Sequence, residues 1–394
     1  MIPVETALER VLAGLAPLPA EVVALPQAVG RVLAADACAR VAHPPVAVSA
    51  MDGWAVRAAD LPGTFAIIGE SAAGHGFAGE VGAGQAVRIS TGAPLPAGAD
   101  AVAMQEDAER DGGRVTVTVA VPPGKHVRAA AQDFAVGAAL LAAGTVLGPR
   151  QIGLAAAMNL AWLDVRRCPL VAILSTGDEI RMPGDTLAPG QIAGSNGPML
   201  AALVEANGGE FRQLGIAGDD RAALAGLLAG ARGADLLVIS GGASVGDHDL
   251  VGAMLAEAGM VPGFWKVAMR PGKPLMHGHL GGMPVLGLPG NPVSAYVAAT
   301  LFLVPMLRAL LGLPAARSTA IARLGGDLAA NDQRQAYLRA TLAAEPDGVL
   351  RATAMERQDS AVLSGLAAAD ALIVRRPHAP EAKVGDMVEI LPLV

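Results

Sequence analysis

The chain has 394 residues, more than one hydrophobic core ordinarily serves, so roughly two or three domains are expected from length alone. Hydrophobic residues make up 53% of it and charged residues 16%, which excludes wholesale disorder. A net charge of −7 supplies no broad cationic surface, so neither nucleic acid nor an anionic membrane is an expected partner.

At the start, Leu8, Val11, Leu12 and Leu15 recur at helical spacing until Pro17 and Pro19 stop the pattern. No basic n-region or unbroken apolar stretch precedes them, so the cytoplasm is the expected location. A second short helix is expected after Gly30. Cys38 and Cys168 are too far apart for metal-ligand spacing and imply no disulfide framework.

From His43 to about Asp133 the texture turns β-prone, with short runs at Phe65 to Ile68, Ala86 to Ile89 and Arg114 to Val121 between Gly- and Pro-rich turns. Apolar segments resume at Gln151 to Leu160; packed with the N-terminal helix, they would make the β-rich piece an inserted lobe. Between Cys168 and Leu313, apolar strands at Leu170 to Leu174, Asp235 to Ile239 and Pro284 to Leu288 alternate with loops and helices, which predicts a parallel α/β sheet. The apolar stretch Tyr296 to Leu311 contains Pro305 and Arg308 and reads as a buried helix. After a turn-rich linker, β-prone runs at Ala371 to Val374 and Met387 to Leu391 indicate a small terminal β domain.

Each strand of the α/β region runs into a polar, Gly-rich loop. The first holds Ser175, Thr176, Gly177, Asp178 and Glu179; the second runs from Ser240 through Gly241, Gly242, Ser244 and Gly246 to Asp249; the third holds Pro289, Gly290, Asn291, Pro292 and Ser294. Such loops gather at the carboxyl ends of strands, where open sheets bind ligands, and glycines there let backbone N–H groups approach a phosphate or other oxyanion. Asp178, Glu179, Asp219, Asp247 and Asp249 accompany them. Acids beside an anion site repel it unless a cation intervenes, which points to Mg²⁺; helix capping is the other reading of each acid. Lys266, Arg270 and Lys273 bracket a Pro-Gly turn in apolar surroundings, a pattern suited to holding a small oxyanion.

Asp52, within Met-Asp-Gly-Trp, Thr91, within Ser-Thr-Gly-Ala-Pro, and Asp133 fall in the β-rich stretch, where spacing alone does not separate a site from a turn. His277 and His279 alternate on a predicted strand without a third metal ligand and read as structural. No nucleophile elbow or Walker A sequence appears, which disfavours a covalent hydrolase.

Taken together, Ser-Ala-Met-Asp-Gly-Trp-Ala-Val at 49–56, Ser-Thr-Gly-Asp-Glu at 175–179, Ser-Gly-Gly-Ala-Ser-Val-Gly-Asp at 240–247, Met-Arg-Pro-Gly-Lys-Pro at 269–274 and Leu-Pro-Gly-Asn-Pro-Val-Ser at 288–294 resemble the molybdopterin molybdenumtransferase family, that of MoeA and the gephyrin E domain. The resemblance implies an α/β plus β, multidomain chain: a discontinuous helical linker domain (1–45 and 134–167), a β-rich lobe (46–133), a molybdopterin-binding three-layer α/β domain (168–315) and a C-terminal, barrel-like β domain (318–394). It implies a homodimer in which the lobe of one subunit closes over the α/β site of the other. It marks Asp52, Thr91, Asp133, Glu179, Asp219, Asp249 and Lys266 as catalytic, the three loops as the molybdopterin and nucleotide site shaped by Pro289 and Pro292, and Asp52, Glu179 and Asp249 as Mg²⁺ ligands. Molybdate falls to Arg270, Lys273, Ser294 and Ser360; some relatives have Lys where this chain has Arg270.

The activity implied is transfer of molybdate into adenylylated molybdopterin with Mg²⁺-dependent release of AMP. The implied partners are a molybdopterin adenylyltransferase upstream and cofactor carriers or apo-molybdoenzymes downstream. A molybdopterin-binding scaffold without turnover and an adenylyltransferase are the alternatives.

Overall fold

The computed structural model describes every residue except 219–220, 242–249, 317 and 394. The chain divides into two compact units: Val22–Val165, and Met1–Glu21 together with Arg166–Val394.

Val22–Val165 contains three apolar clusters. A six-stranded sheet runs in the order Ala101–Met104, Gly53–Val56, Gln85–Ile89, Gly63–Ser71, Arg114–Val117, Ala108–Asp111. Successive side chains on a strand face opposite ways, so Trp54 and Val56 enter a core with Phe65 and Val115, while Ala55 enters another with Val87 and Val102. A separate cluster draws Leu33 and Ala39 from before the sheet and Phe134, Leu147, Met158 and Val165 from after it. It includes the helix Pro149–Ala157, the structural form of the apolar run at 151–160.

Two expectations fail here. No helix follows Gly30: its φ is +79°, and Val32 and Leu33 form extended bridges to Val146 and Val165. The N-terminal helix, expected beside 151–160, belongs to the other compact unit. Helix Val4–Leu12 buries Val4, Ala7 and Val11 in the core of the other unit, beside Phe302, Val304 and Leu307.

That other unit is built on a six-stranded mixed sheet, ordered Glu210–Ala217, Leu170–Thr176, Leu236–Ser240, Met283–Leu288, Pro274–Leu280, Met260–Lys266. The first four strands are parallel; Pro274–Leu280 runs against them, and Met260–Lys266 runs against Pro274–Leu280. Both faces are covered, which is why the central strands read as unbroken apolar runs. Val171 and Ile173 face the helices Asn196–Ala206 and Pro292–Leu310; Ala172 and Leu174 face Arg221–Ala229 and Leu250–Glu257. Helix Pro292–Leu310 is long and apolar enough to cross a membrane, but 78% of its most apolar window is buried inside the protein, as befits a core helix. Pro292 sits at its start, where a missing N–H costs nothing.

The C-terminal strands close on themselves in the order Gln335–Ala344, Leu350–Ala354, Ala320–Leu324, Met387–Pro392, Ala371–Arg375, the last pairing back onto the first. Small residues such as Ala322, Ala340, Ala352 and Ala371 fill the narrow interior of this barrel. A two-residue strand, Met269–Arg270, adds to it through pairing of Arg270 with Ala336, tying the cation-rich segment of the α/β region to the barrel.

Candidate active site

The sheet's register aligns three strand ends. Ser175 lies beside Ser240, and Ser240 beside Leu288, so the loops that follow leave the same edge. The order of strands changes direction between Leu170–Thr176 and Leu236–Ser240, the switch point at which such sheets bind ligands. The loops pack closely: a Cβ on Gly241, whose φ is +107°, would fall 2.3 Å from the Thr176 carbonyl oxygen, so only glycine fits. Thr176 Oγ1 donates to the Ser240 carbonyl at 3.4 Å.

Over this edge opens a cleft of about 1080 Å³. Its lining brings together Ser175, Glu179, Ser240, Gly241, Lys266, Arg270, Lys273, Pro289, Gly290, Asn291, Pro292, Ser294 and Ser360. Thr176, Gly177 and Asp178 stand beside it in the first loop without lining it. Asp219, Gly242, Ser244, Gly246, Asp247 and Asp249 lie outside the described residues.

Helices Asn196–Ala206 and Pro292–Leu310 both begin at the cleft, presenting the positive ends of their dipoles. Ser360, on a barrel loop, accepts from Asn291 Nδ2 at 3.0 Å, and its carbonyl accepts from Val293 N–H at 3.2 Å. That loop is held from below by Arg339, only 1% exposed, whose guanidinium donates to the carbonyls of Val362, Arg357 and Asp359 at 2.7–2.9 Å.

The cleft also contains residues that the sequence reading passed over. Arg334 lines it and donates to Asp332 Oδ2 at 2.7 Å, while its backbone N–H donates to Oδ1 at 2.7 Å. Arg270 approaches the same carboxylate at 3.9 Å and Asn331 Oδ1 at 3.4 Å. The two hydrogen bonds from Arg334, and Arg270 nearby, hold the Asp332 pKa down at about 2. Asn196 lines the floor. The polar runs Ser195-Asn196-Gly197-Pro198 and Asn331-Asp332-Gln333-Arg334, each next to a regular element, were the signals available for them.

In Val22–Val165, Asp52 and Thr91 meet. The Asp52 carboxylate accepts from the Thr91 N–H at 2.6 Å and its hydroxyl at 3.0 Å, and the backbone bond above all lowers the Asp52 pKa. Arg88 donates to the Gly53 carbonyl at 3.0 Å and stacks over Trp54. Asp133 makes no hydrogen bond to that pair among the described residues; its N–H donates to the His43 carbonyl.

His277 is 2% exposed, and neither ring nitrogen has a hydrogen-bond partner among the described residues. Burial, then neighbouring His279, pushes its pKa to about 4, so the ring is neutral, as a core residue requires. Among the described residues no group of three or more His, Cys, Asp or Glu is placed to hold a metal.

Comparison with known proteins follows the same division of the chain. Residues 2–159 match the MoeA N-terminal region (domain I and II), 172–309 a probable molybdopterin binding domain, and 321–393 the MoeA C-terminal region (domain IV). The chain is 40% identical over 305 residues to a molybdopterin molybdenumtransferase 2 of Mycobacterium tuberculosis, covering 74% of this chain and 75% of that one. It is 34% identical to the molybdopterin molybdenumtransferase of Bacillus subtilis, covering 99% of this chain and 94% of the relative. A crystal structure of a molybdopterin biosynthesis MoeA protein from Pyrococcus horikosii superposes with a TM-score of 0.88 at 33% identity, covering 100% of this chain and 99% of the other.

Proposed function

The chain belongs to the molybdopterin molybdenumtransferase family and is a transferase of molybdenum cofactor assembly; from that premise we propose that its substrates are molybdate and adenylylated molybdopterin, and that it releases AMP with the help of Mg²⁺. The observation that carries this reading is the convergence on one cleft of the first and third Gly-rich loops, the start of the second at Ser240 and Gly241, two helix N-termini and the cations Lys266, Arg270, Lys273 and Arg334. Loop N–H groups and helix ends suit phosphate, and fork-shaped guanidiniums suit a tetrahedral dianion.

In this reading Arg270 and Lys273, with the hydroxyls of Ser294 and Ser360, gather molybdate, while the three loops hold the pterin and its anhydride. Lys266 adds positive charge where the anhydride lies. Keeping both substrates in one cleft raises the effective concentration of molybdate at the dithiolene. The Glu179 carboxylate, without a hydrogen-bond or ionic partner among the described residues, fits a hard cation, and Glu179, Asp249 and Asp52 are the residues that would hold Mg²⁺. Bound there, Mg²⁺ would neutralise the anhydride and make AMP a better leaving group. Asp52, fixed by Thr91, and Asp133 would serve the cleft of a second copy, so that the chain works as a homodimer.

The test is AMP release from adenylylated molybdopterin by the purified chain with Mg²⁺, with and without molybdate, followed by transfer of the product to an apo-molybdoenzyme. Molybdate-dependent release with recovered activity supports the transferase reaction proposed here. Tight pterin binding without turnover would indicate a carrier, and pyrophosphate release from ATP an adenylyltransferase.

A further inference from the structure

Asn196 is 7% exposed on the floor of the cleft, at the start of helix Asn196–Ala206. Its Nδ2 donates to Ser240 Oγ at 2.7 Å and to the Gly290 carbonyl at 2.8 Å. Both amide protons are therefore used, and they fix which way the side chain points, since a flipped amide would set its oxygen against the Gly290 carbonyl. The remaining atom, Oδ1, is buried and has no hydrogen-bond partner among the described residues. A buried acceptor without a donor is costly, and one kept on the floor of a cleft is satisfied when a ligand donor arrives.

Resting on the function proposed above, we propose that Asn196 Oδ1 accepts a hydrogen bond from an N–H of the substrate's nitrogen heterocycle, making Asn196 a specificity-determining residue. The oxyanion ends of the substrates carry only acceptors at neutral pH and cannot supply this proton. The substrate's ring systems can: the amino-pyrimidine edge of the pterin and the amino group of adenine. Ser240 and Gly290 belong to the second and third loops, so the amide that ties these loops together also reads the ring lying between them.

The experiment compares the full-length wild type with Asn196→Ala and Asn196→Ser by titration calorimetry, using AMP, purine riboside monophosphate, which lacks the amino group, and molybdopterin, with molybdate as a control for an intact cleft. Serine keeps a donor for the loops if alanine does not fold. We expect a loss of about tenfold or more, the usual effect of removing one buried hydrogen bond, for one ring only. Loss confined to AMP identifies adenine as the donor, and loss confined to molybdopterin identifies the pterin; either supports the assignment. Equal losses for all three ligands mark a loosened cleft, and no loss with molybdate binding retained marks an idle residue; both overturn it. A wild type that binds none of these ligands removes the functional reading, and the assignment of Asn196 with it.

Discussion

Asp332 places a permanent negative charge among the cations of the cleft, between Arg334 at 2.7 Å and Arg270 at 3.9 Å. It orients the Arg334 guanidinium but also competes with any anion that these arginines receive. Asp332→Asn keeps an oxygen for the Arg334 N–H and removes the charge. Like charges a few ångströms apart repel even in water-like surroundings, so the KM for molybdate should fall by roughly a few-fold. Molybdate-dependence curves decide the point; a raised KM would mean that orientation outweighs repulsion. His277 makes a separate prediction about stability. Its pKa is about 4 when folded and 6.5 in its ordinary state, so the folded chain prefers the neutral ring. Stability from this preference is complete above pH 6.5 and is lost as pH falls towards 4, by up to about 3 kcal/mol. Denaturant midpoints measured from pH 7 to 4 should fall less steeply in His277→Phe than in the wild type; parallel slopes would sink the idea. At this scale sequence reading has a plain limit. The loop glycines, Lys266, Arg270 and Lys273 stand out by composition, but Asn196 and Arg334 reach the cleft only through contacts to residues 44 positions or more away in the first case and through barrel pairing in the second.

The elements carry the site in two layers. The apolar strands at 170–176, 236–240 and 283–288 and the Gly-rich loops after them were legible because a strand covered on both faces must be continuously apolar, and because each loop follows its strand directly. The closing of the barrel was not, since it depends on Ala371–Arg375 pairing back onto Gln335–Ala344 and on Met269–Arg270 joining from outside. Its consequence for the cleft runs through Arg339, whose three carbonyl partners span residues 357–362 and so shape the loop bearing Ser360. Arg339→Met fills the space but leaves those buried carbonyls without donors. Each charged hydrogen bond contributes about 1.5 to 3 kcal/mol, so we expect a loss of at least about 3 kcal/mol in stability. Hydrogen exchange should quicken at 357–362 while strands at 170–176 stay protected. Unchanged exchange in that loop would show that the Gln358 side chain, which donates to the Arg339 and Met355 carbonyls at 2.9 Å, suffices by itself.

For the whole molecule, the telling feature is that the chain begins in one unit, leaves it at residue 22 and returns at residue 166. The helical pattern of Leu8, Val11, Leu12 and Leu15 gave the helix, but a period of 3.6 residues identifies a buried face and not the core that buries it. In the fold, Val4, Ala7 and Val11 pack into the apolar cluster that also holds Ile173, Leu286 and Phe302, more than 150 residues downstream. Stability of the unit carrying the cleft therefore depends on a segment that precedes the whole of Val22–Val165. Val11, 1% exposed, provides the test. Val11→Ala removes two methyl groups from a filled core at a cost of about 2 kcal/mol. Hydrogen exchange followed by mass spectrometry should show faster opening in 170–176 and 283–310 and none in the strands of Val22–Val165. Protection lost instead from 149–165, the partner that sequence alone suggested for this helix, would mean that the helix belongs to the other unit in solution.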